Sequence, residues 1–220
     1  MNISNELINL LMPYIKDAAP LDEVEIRKFA AENNIILRED HKNFLMKIGR
    51  PRNGRLYIFH RYGGDFDFEN LVDDFLEVYP DVDTPSGSTY FGTNFVGDSF
   101  CIDDDTGKIY LYSTGEKYGV VHETIEGFLL ECLITAYRRE AFSTVISKDS
   151  VGREYINEFR LINNKYRLSE STRYSLEYGN INNLEIFSEY FFVDKQLIVI
   201  HPVVDSLIVM SGGILNELRV

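Results

Sequence analysis

The apolar residues of this chain change period along its length, and that change limits the architectures open to it. Ile3, Leu7, Leu10, Leu11, Tyr14 and Ile15 recur at helical spacing, which predicts a helix over 3–17 that Pro13 kinks or shortens. The same pattern recurs over 22–32 (Val24, Ile26, Phe29, Ala30) and over 39–48 (His41, Phe44, Leu45, Ile48), where Gly49 supplies a stop. Residues 55–60 then read as a strand before the Gly63-Gly64 turn. A fourth helix is expected over 67–79, because Phe68, Leu71, Val72, Phe75, Leu76 and Tyr79 keep helical spacing up to Pro80.

From Ser88 the reading is β. Arms at 99–102 and 108–113 form a hairpin through Asp103-Asp104-Asp105-Thr106-Gly107, with Gly where a positive φ is wanted. A long helix follows over 123–145, with Ile125, Phe128, Leu129, Cys132, Leu133, Ala136 and Tyr137 on one face. Past Lys148 the character shifts: a helix at 155–162, then strands at 172–178, 184–193, 196–202 and 206–210, with Asp194-Lys195 as a turn. Helices first and antiparallel strands later make an α+β order, not an alternating βαβ one. The expected organisation is an α+β domain over 1–148, with its core at about 20–145, and a mostly β extension or small subdomain at 149–220 packed on it.

Charge narrows the function classes. The net charge is −13, which disfavours nucleic acid, whose binding depends on Lys and Arg neutralising phosphates. Residues 62–107 contain no Lys or Arg and carry twelve acids: Asp65, Asp67, Glu69, Asp73, Asp74, Glu77, Asp81, Asp83, Asp98, Asp103, Asp104 and Asp105. Nearly the whole imbalance lies there. Glu69, Asp73 and Glu77 repeat at i, i+4, i+8, where like charges destabilise a helix by about 0.2–0.5 kcal/mol per pair, and Asp74 and Glu77 sit at the wrong end of the dipole. Nothing basic nearby in sequence relieves them. Such a face reads either as a solvated surface or as one that docks a basic protein and loses affinity as salt rises, and docking is the expectation.

Catalytic apparatus is not expected. Neither G-x-G-x-x-G nor G-x-x-x-x-G-K-[ST] occurs, and His41, His60, His122 and His201 are scattered and read as satisfied core or surface residues. Cys101 and Cys132 lack C-x-x-C spacing and read as buried thiols. The 103–105 acids fail the calcium-loop pattern, with Lys108 at the glycine position and Thr114 at position 12. No cofactor or metal is expected. With 45% hydrophobic residues the chain is expected to bury enough surface to fold without disulfides or metal. No run of 18 apolar residues occurs, and the first twenty residues lack the pattern of a secretory signal, so the expectation is a cytoplasmic protein without a membrane partner.

Three stretches carry a resemblance. The first is 24–49, two helices joined by a short link, the second containing Phe44-Leu45 before Gly49. The second is Tyr90-Phe91-Gly92-Thr93-Asn94-Phe95-Val96-Gly97-Asp98, followed by Ile102-Asp103 and Thr106-Gly107-Lys108-Ile109-Tyr110; the third is the closing helix with Phe128-Leu129-Leu130. Together they resemble the SUKH superfamily (Smi/Knr-like) over residues 20–145. Arg38 stands where that pattern usually has Pro, and Gly49-Arg50-Pro51 replaces its Asn-Gly-Gly. The resemblance implies an antiparallel sheet packed by helices and no shared catalytic set. For the bacterial members it implies an immunity protein that neutralises a toxin, often a nuclease, by stoichiometric binding; for the fungal members it implies a scaffold or regulatory adaptor. The expected partner surface is Asp65, Asp67, Glu69, Asp73, Asp74, Glu77, Asp81, Asp83, Asp103, Asp104 and Asp105, with Tyr62, Phe66, Tyr90 and Phe91 read either as aromatic anchors at its centre or as core residues.

Overall fold

The computed structural model describes residues 2–76, 84–113, 116–168, 172–173 and 186–218. Helix α1 (Ile3–Leu11) is capped by the Asn2 side chain, which accepts from the Ser4 amide, and buries Leu7, Ile8 and Leu11. Pro13 ends it: the ring cannot donate to the preceding turn, and Met12–Tyr14 tightens into a 3₁₀ turn. Strand β1 (Ala18–Ala19) leads into α2 (Glu23–Glu32), capped by Asp22, and then α3 (Glu39–Ile48). Gly49 follows with φ +70°, and a Cβ there would lie 2.0 Å from the Ala19 carbonyl oxygen. Only glycine lets β2 (Arg50–Pro51) pair with β1.

The strand expected at 55–60 is instead a 3₁₀ turn, Tyr57–Phe59. Its amide bonds are local, Phe59 to Leu56 and His60 to Tyr57, and the chain folds back there with both Ile58 and Phe59 in the main core. Helix α4 (Phe68–Phe75) begins at Asp67, whose carboxylate accepts from the amides of Glu69 and Asn70. The end expected at Tyr79 lies outside the described residues.

One antiparallel sheet has the order β3-β4-β5-β6, from β3 (Ser88–Thr93), β4 (Ser99–Asp103), β5 (Ile109–Ser113) and β6 (Glu116–His122). The β4–β5 hairpin joins the two arms expected from sequence, with Ile102 opposite Ile109. Helix α5 (Ile125–Ala141) is capped by Thr124 and buried on nearly every side, so it is the central helix rather than a one-faced one. It stops before the expected end at Val145. The β-branched Thr144, Val145 and Ile146 belong to β7 (Thr144–Lys148), which pairs antiparallel with a strand more than fifty residues later.

Helix α6 (Arg153–Asn163), β8 (Thr172–Arg173), β9 (Ile186–Val193), β10 (Gln196–His201) and β11 (Ser206–Ser211) complete the chain. The second sheet runs β7-β11-β10-β9-β8. Asp194 and Lys195 both take positive φ, the geometry of the tight turn that matches strand twist. Along β10 the residues alternate between two cores. Leu197 and Val199 join the main cluster with Phe44, Phe128 and Tyr190, whereas Ile198 and Ile200 pack with Ile156 of α6 and Phe191. The apolar run 197–200 is therefore buried on both faces. Residues on either side of Lys148 share one sheet and one core.

Candidate protein-binding surface

Of the anchors expected from sequence, Phe66, Tyr90 and Phe91 are in the core, at 0%, 3% and 2% exposure, and cannot touch a partner. Phe66 stacks near Phe91, Phe100 and Phe128 at centroid distances of 5.5, 5.2 and 4.9 Å. Gly92 makes the space, since a Cβ there would lie 2.3 Å from the Phe66 ring. Aromatic area of this size is worth more inside than on a surface. Tyr62 is also committed internally: its hydroxyl lies 3.0 Å from His122 Nε2 and 3.3 Å from Glu131 Oε2.

The acids divide by environment. Asp67 is buried as the α4 cap and is unavailable to a partner; burial pushes its carboxyl up, against the hydrogen bonds from Asn70 and Glu69. Asp65 pairs with Arg55 at 3.0 Å, and exposed Glu69 lies 4.0 Å from Arg50, which also holds Glu25 at 2.5 Å. Asp73 is partly exposed with no ion pair among the described residues. Asp74 accepts from Thr84 at 3.3 Å, and partial burial pushes it up to about 6. Glu77, Asp81 and Asp83 lie outside the described residues.

At the β4–β5 tip, Asp103 accepts from the amide and hydroxyl of Thr106 at 2.8 and 2.6 Å, which hold its carboxyl below the usual range. Asp104 accepts from the Thr89 hydroxyl at 2.9 Å, and Asp105 is exposed. Arg38 donates to the Asp104 carbonyl at 2.8 Å while gripping Asp40 through two bonds of 3.1 Å. The acidic segment, which has no base within it, is thus partly neutralised by Arg38, Arg50 and Arg55 from distant positions. Sequence neighbourhood missed them because folding delivers them.

The exposed apolar residues beside these acids are different from those expected. Phe95 and Val96 are 76% and 61% exposed at the β3–β4 turn, and Phe75 and Leu76 are exposed at the end of α4. The turn is built to display them. The Asn94 carboxamide oxygen accepts from the amides of Val96 and Asp98 at 3.0 Å each, its nitrogen donates to the Asp98 carboxylate at 2.9 Å, and Phe95 N–H donates to the Tyr62 carbonyl at 3.2 Å. A close look at Asn94-Phe95-Val96-Gly97-Asp98 carries this signal, because residues at the centre of a tight turn cannot reach a core.

The chemically richest cluster centres on two buried groups, His122 and Glu131, with Arg61 reaching it from the surface. Arg61, Tyr62, His122 and Glu131 converge, with Arg61 ion-paired to Glu131 and His122 Nε2 3.2 Å from Glu131 Oε2. Burial alone would raise the Glu131 carboxyl, but His122, Arg61 and Tyr62 together hold it at about 2. Burial pushes the Cys101 thiol up to about 12 and holds the Cys132 thiol well above the usual range, so neither is a poised nucleophile. His41 departs from the satisfied histidine expected: it is fully buried, its Nδ1 has no hydrogen-bond partner, and burial lowers it to about 4. Among the described residues no group of three His, Cys, Asp or Glu is placed to hold a metal, and no helix is long and apolar enough to cross a membrane.

These features define an α+β protein of antiparallel sheets and helices with an acidic surface and an apolar turn beside it. A family model described as the SMI1 / KNR4 family (SUKH-1) matches residues 20–131, from the start of α2 to the middle of α5. The chain belongs to that family. No curated protein and no solved structure matched the chain.

Proposed function

We propose that this chain is a non-catalytic protein-binding module of the immunity type, which neutralises a cognate basic toxin by stoichiometric binding. The family is generally non-catalytic and generally associated with immunity proteins. The observation that carries the reading is the pairing of exposed Phe95 and Val96 with nearby acids: Asp65 accepts the Thr93 amide through its carbonyl, and Asp98 closes the same turn. An apolar side chain on a rigid support with a charged rim is the arrangement of an interface hot spot. A basic partner, such as a nuclease with a phosphate-binding face, would be drawn in by the net charge and held by the apolar contact.

The test is capture from the native cell at low and high salt with the wild-type chain, Phe95→Ala and Asp73→Lys, followed by activity assay of any captured toxin domain. One-to-one inhibition of a basic toxin, weakened by salt and by both substitutions, supports the reading. Capture of a housekeeping complex with no toxin activity would replace it by the scaffold or adaptor role. A partner indifferent to salt and to both substitutions would remove this surface from the mechanism.

A further inference from the structure

A groove runs between α1, α3 and α5, on elements other than α4 and the β3–β4 turn. One stretch, of about 420 Å³, has Asn5, Asn9, Asn43 and Glu126 around an apolar floor that includes Ile125 and Leu129. A second stretch, of about 590 Å³, continues from Asn9 to Glu6, Leu10 and Glu217. Arg38 links the acidic hairpin to the groove. Asp40 lines it, and the Arg38 that grips Asp40 also donates to the carbonyl of Asp104.

Its charges are left open. Elsewhere carboxylates find cations, as Glu23 does in Arg27, Glu25 in Arg50 and Glu123 in Lys108. Glu6, Glu126 and Glu217 have no ion pair among the described residues, and they lie along one groove. Lys47 is the one cation lining either stretch among the described residues. Exposed Asn9 and Asn43 offer both N–H donors and C=O acceptors, which is what the main chain of an extended peptide requires, and the Asn5 carboxamide oxygen is buried without a hydrogen-bond partner. The apolar floor suits the methylene stem of a long basic side chain, and a guanidinium presents several donors in a fixed plane to carboxylate and carboxamide oxygens at once.

We propose that this groove receives an extended, arginine-bearing segment of a basic protein partner, with Glu126 and Glu6 accepting from its guanidinium groups and the asparagines pairing its main chain. The inference rests on the functional reading only in taking the partner to be basic. Lys47 then opposes the ligand, and replacing it by an acid strengthens binding.

The probe is the peptide acetyl-Ala-Arg-Ala-Arg-Ala-amide, titrated into the full chain at low ionic strength and followed by two-dimensional NMR and by its dissociation constant. Dose-dependent movement of the Asn5, Asn9 and Asn43 side-chain amides and of the Ile125 and Leu129 methyls supports the proposal. Glu126→Gln and Glu6→Gln should each weaken binding by about threefold, as expected for one exposed ion pair, Lys47→Glu should strengthen it, and Asp73→Asn should leave it unchanged. All are surface changes, and an unaltered Tm confirms the fold. Movement confined to α4 and the hairpin tip, equal losses in Asp73→Asn and the groove variants, equal binding of a control peptide with Lys in place of both Arg residues, or no movement at millimolar peptide would each overturn it. Toxin capture through Phe95 with an inert groove sinks this proposal alone; groove binding without any captured toxin sinks the functional reading alone.

Discussion

His122 Nε2 and Glu131 Oε2 lie 3.2 Å apart in the core, with side-chain exposures of 1% and 2%. The contact joins the last residue of β6 to the middle of α5, and Tyr62 and Arg61 bring in the loop that follows the 3₁₀ turn at 57–59. A buried carboxylate is tolerable only when charges and donors surround it. This one has three side chains supplying them.

Replacing Glu131 by Leu removes the acceptor and leaves His122, 1% exposed, without its charged partner, so it should cost about 3 kcal/mol. Glu131→Gln keeps the shape and should cost less. The native carboxyl is held at about 2 against an ordinary value of 4.5, so its contribution is complete above pH 4.5 and disappears as pH falls towards 2. Urea unfolding of both variants, with the wild type followed from pH 7 to 2, measures the difference.

His41 acts in a higher window. Its folded value is about 4 against 6.5 unfolded, so between those values the unfolded chain binds more protons and stability falls as the solution is acidified. The slope approaches about 1.4 kcal/mol per pH unit inside the window. His41→Leu, which keeps the contact with Phe91, should flatten that part of a Tm-against-pH curve; an unchanged curve would show that His41 is not the titrating group.

Asp74 has the opposite sign. Its folded value of about 6 exceeds the ordinary 3.8, so the native state binds the extra proton and gains stability as pH falls from above 6 to about 3.8. Asp74→Asn should be more stable than wild type at pH 7.5, with the advantage shrinking below pH 6. The two histories cancel in part in the wild type, which is why single variants are needed to see either.

Phe95→Ala should leave the Tm within about 1 °C, because a side chain 76% exposed loses little burial. If the β3–β4 turn is the anchor, the same change should weaken partner binding by about 2 kcal/mol, the threshold of a hot spot. Calorimetric titration against the captured partner gives the number.

Cutting the chain after Lys148 should abolish cooperative folding. β7 would lose its partner β11, and the main cluster would lose Tyr190, Leu197, Val199 and Met210. At about 1.5–3 kcal/mol for each buried side chain, the loss matches the whole stability of a typical domain. A two-state urea transition in the 1–148 fragment would refute this.

Local pattern determined much of the protein. The spacing of Val24, Ile26 and Phe29 or of Phe44, Leu45 and Ile48 specified α2 and α3, Gly107 specified the β4–β5 turn, and Asp194-Lys195 specified the β9–β10 turn, because helix period and turn chemistry depend on residues a few positions apart. The α+β class and the family were legible for the same reason. Residues 57–59 and 144–145 depart from the period read for them because each was decided by where the chain had to go: Ile58 and Phe59 into one core, Val145 opposite Met210. The surface depended on tertiary structure throughout. Sequence placed the acids correctly on one segment, but folding turned Asp67 inward as a cap, brought Arg38, Arg50 and Arg55 to its neighbours, and exchanged the buried Phe66 and Phe91 for the displayed Phe95. Burial and ion pairing are set by side chains tens of residues away, so charge and aromatic content can be counted along a chain, whereas the partners that neutralise or hide them are fixed only when it folds.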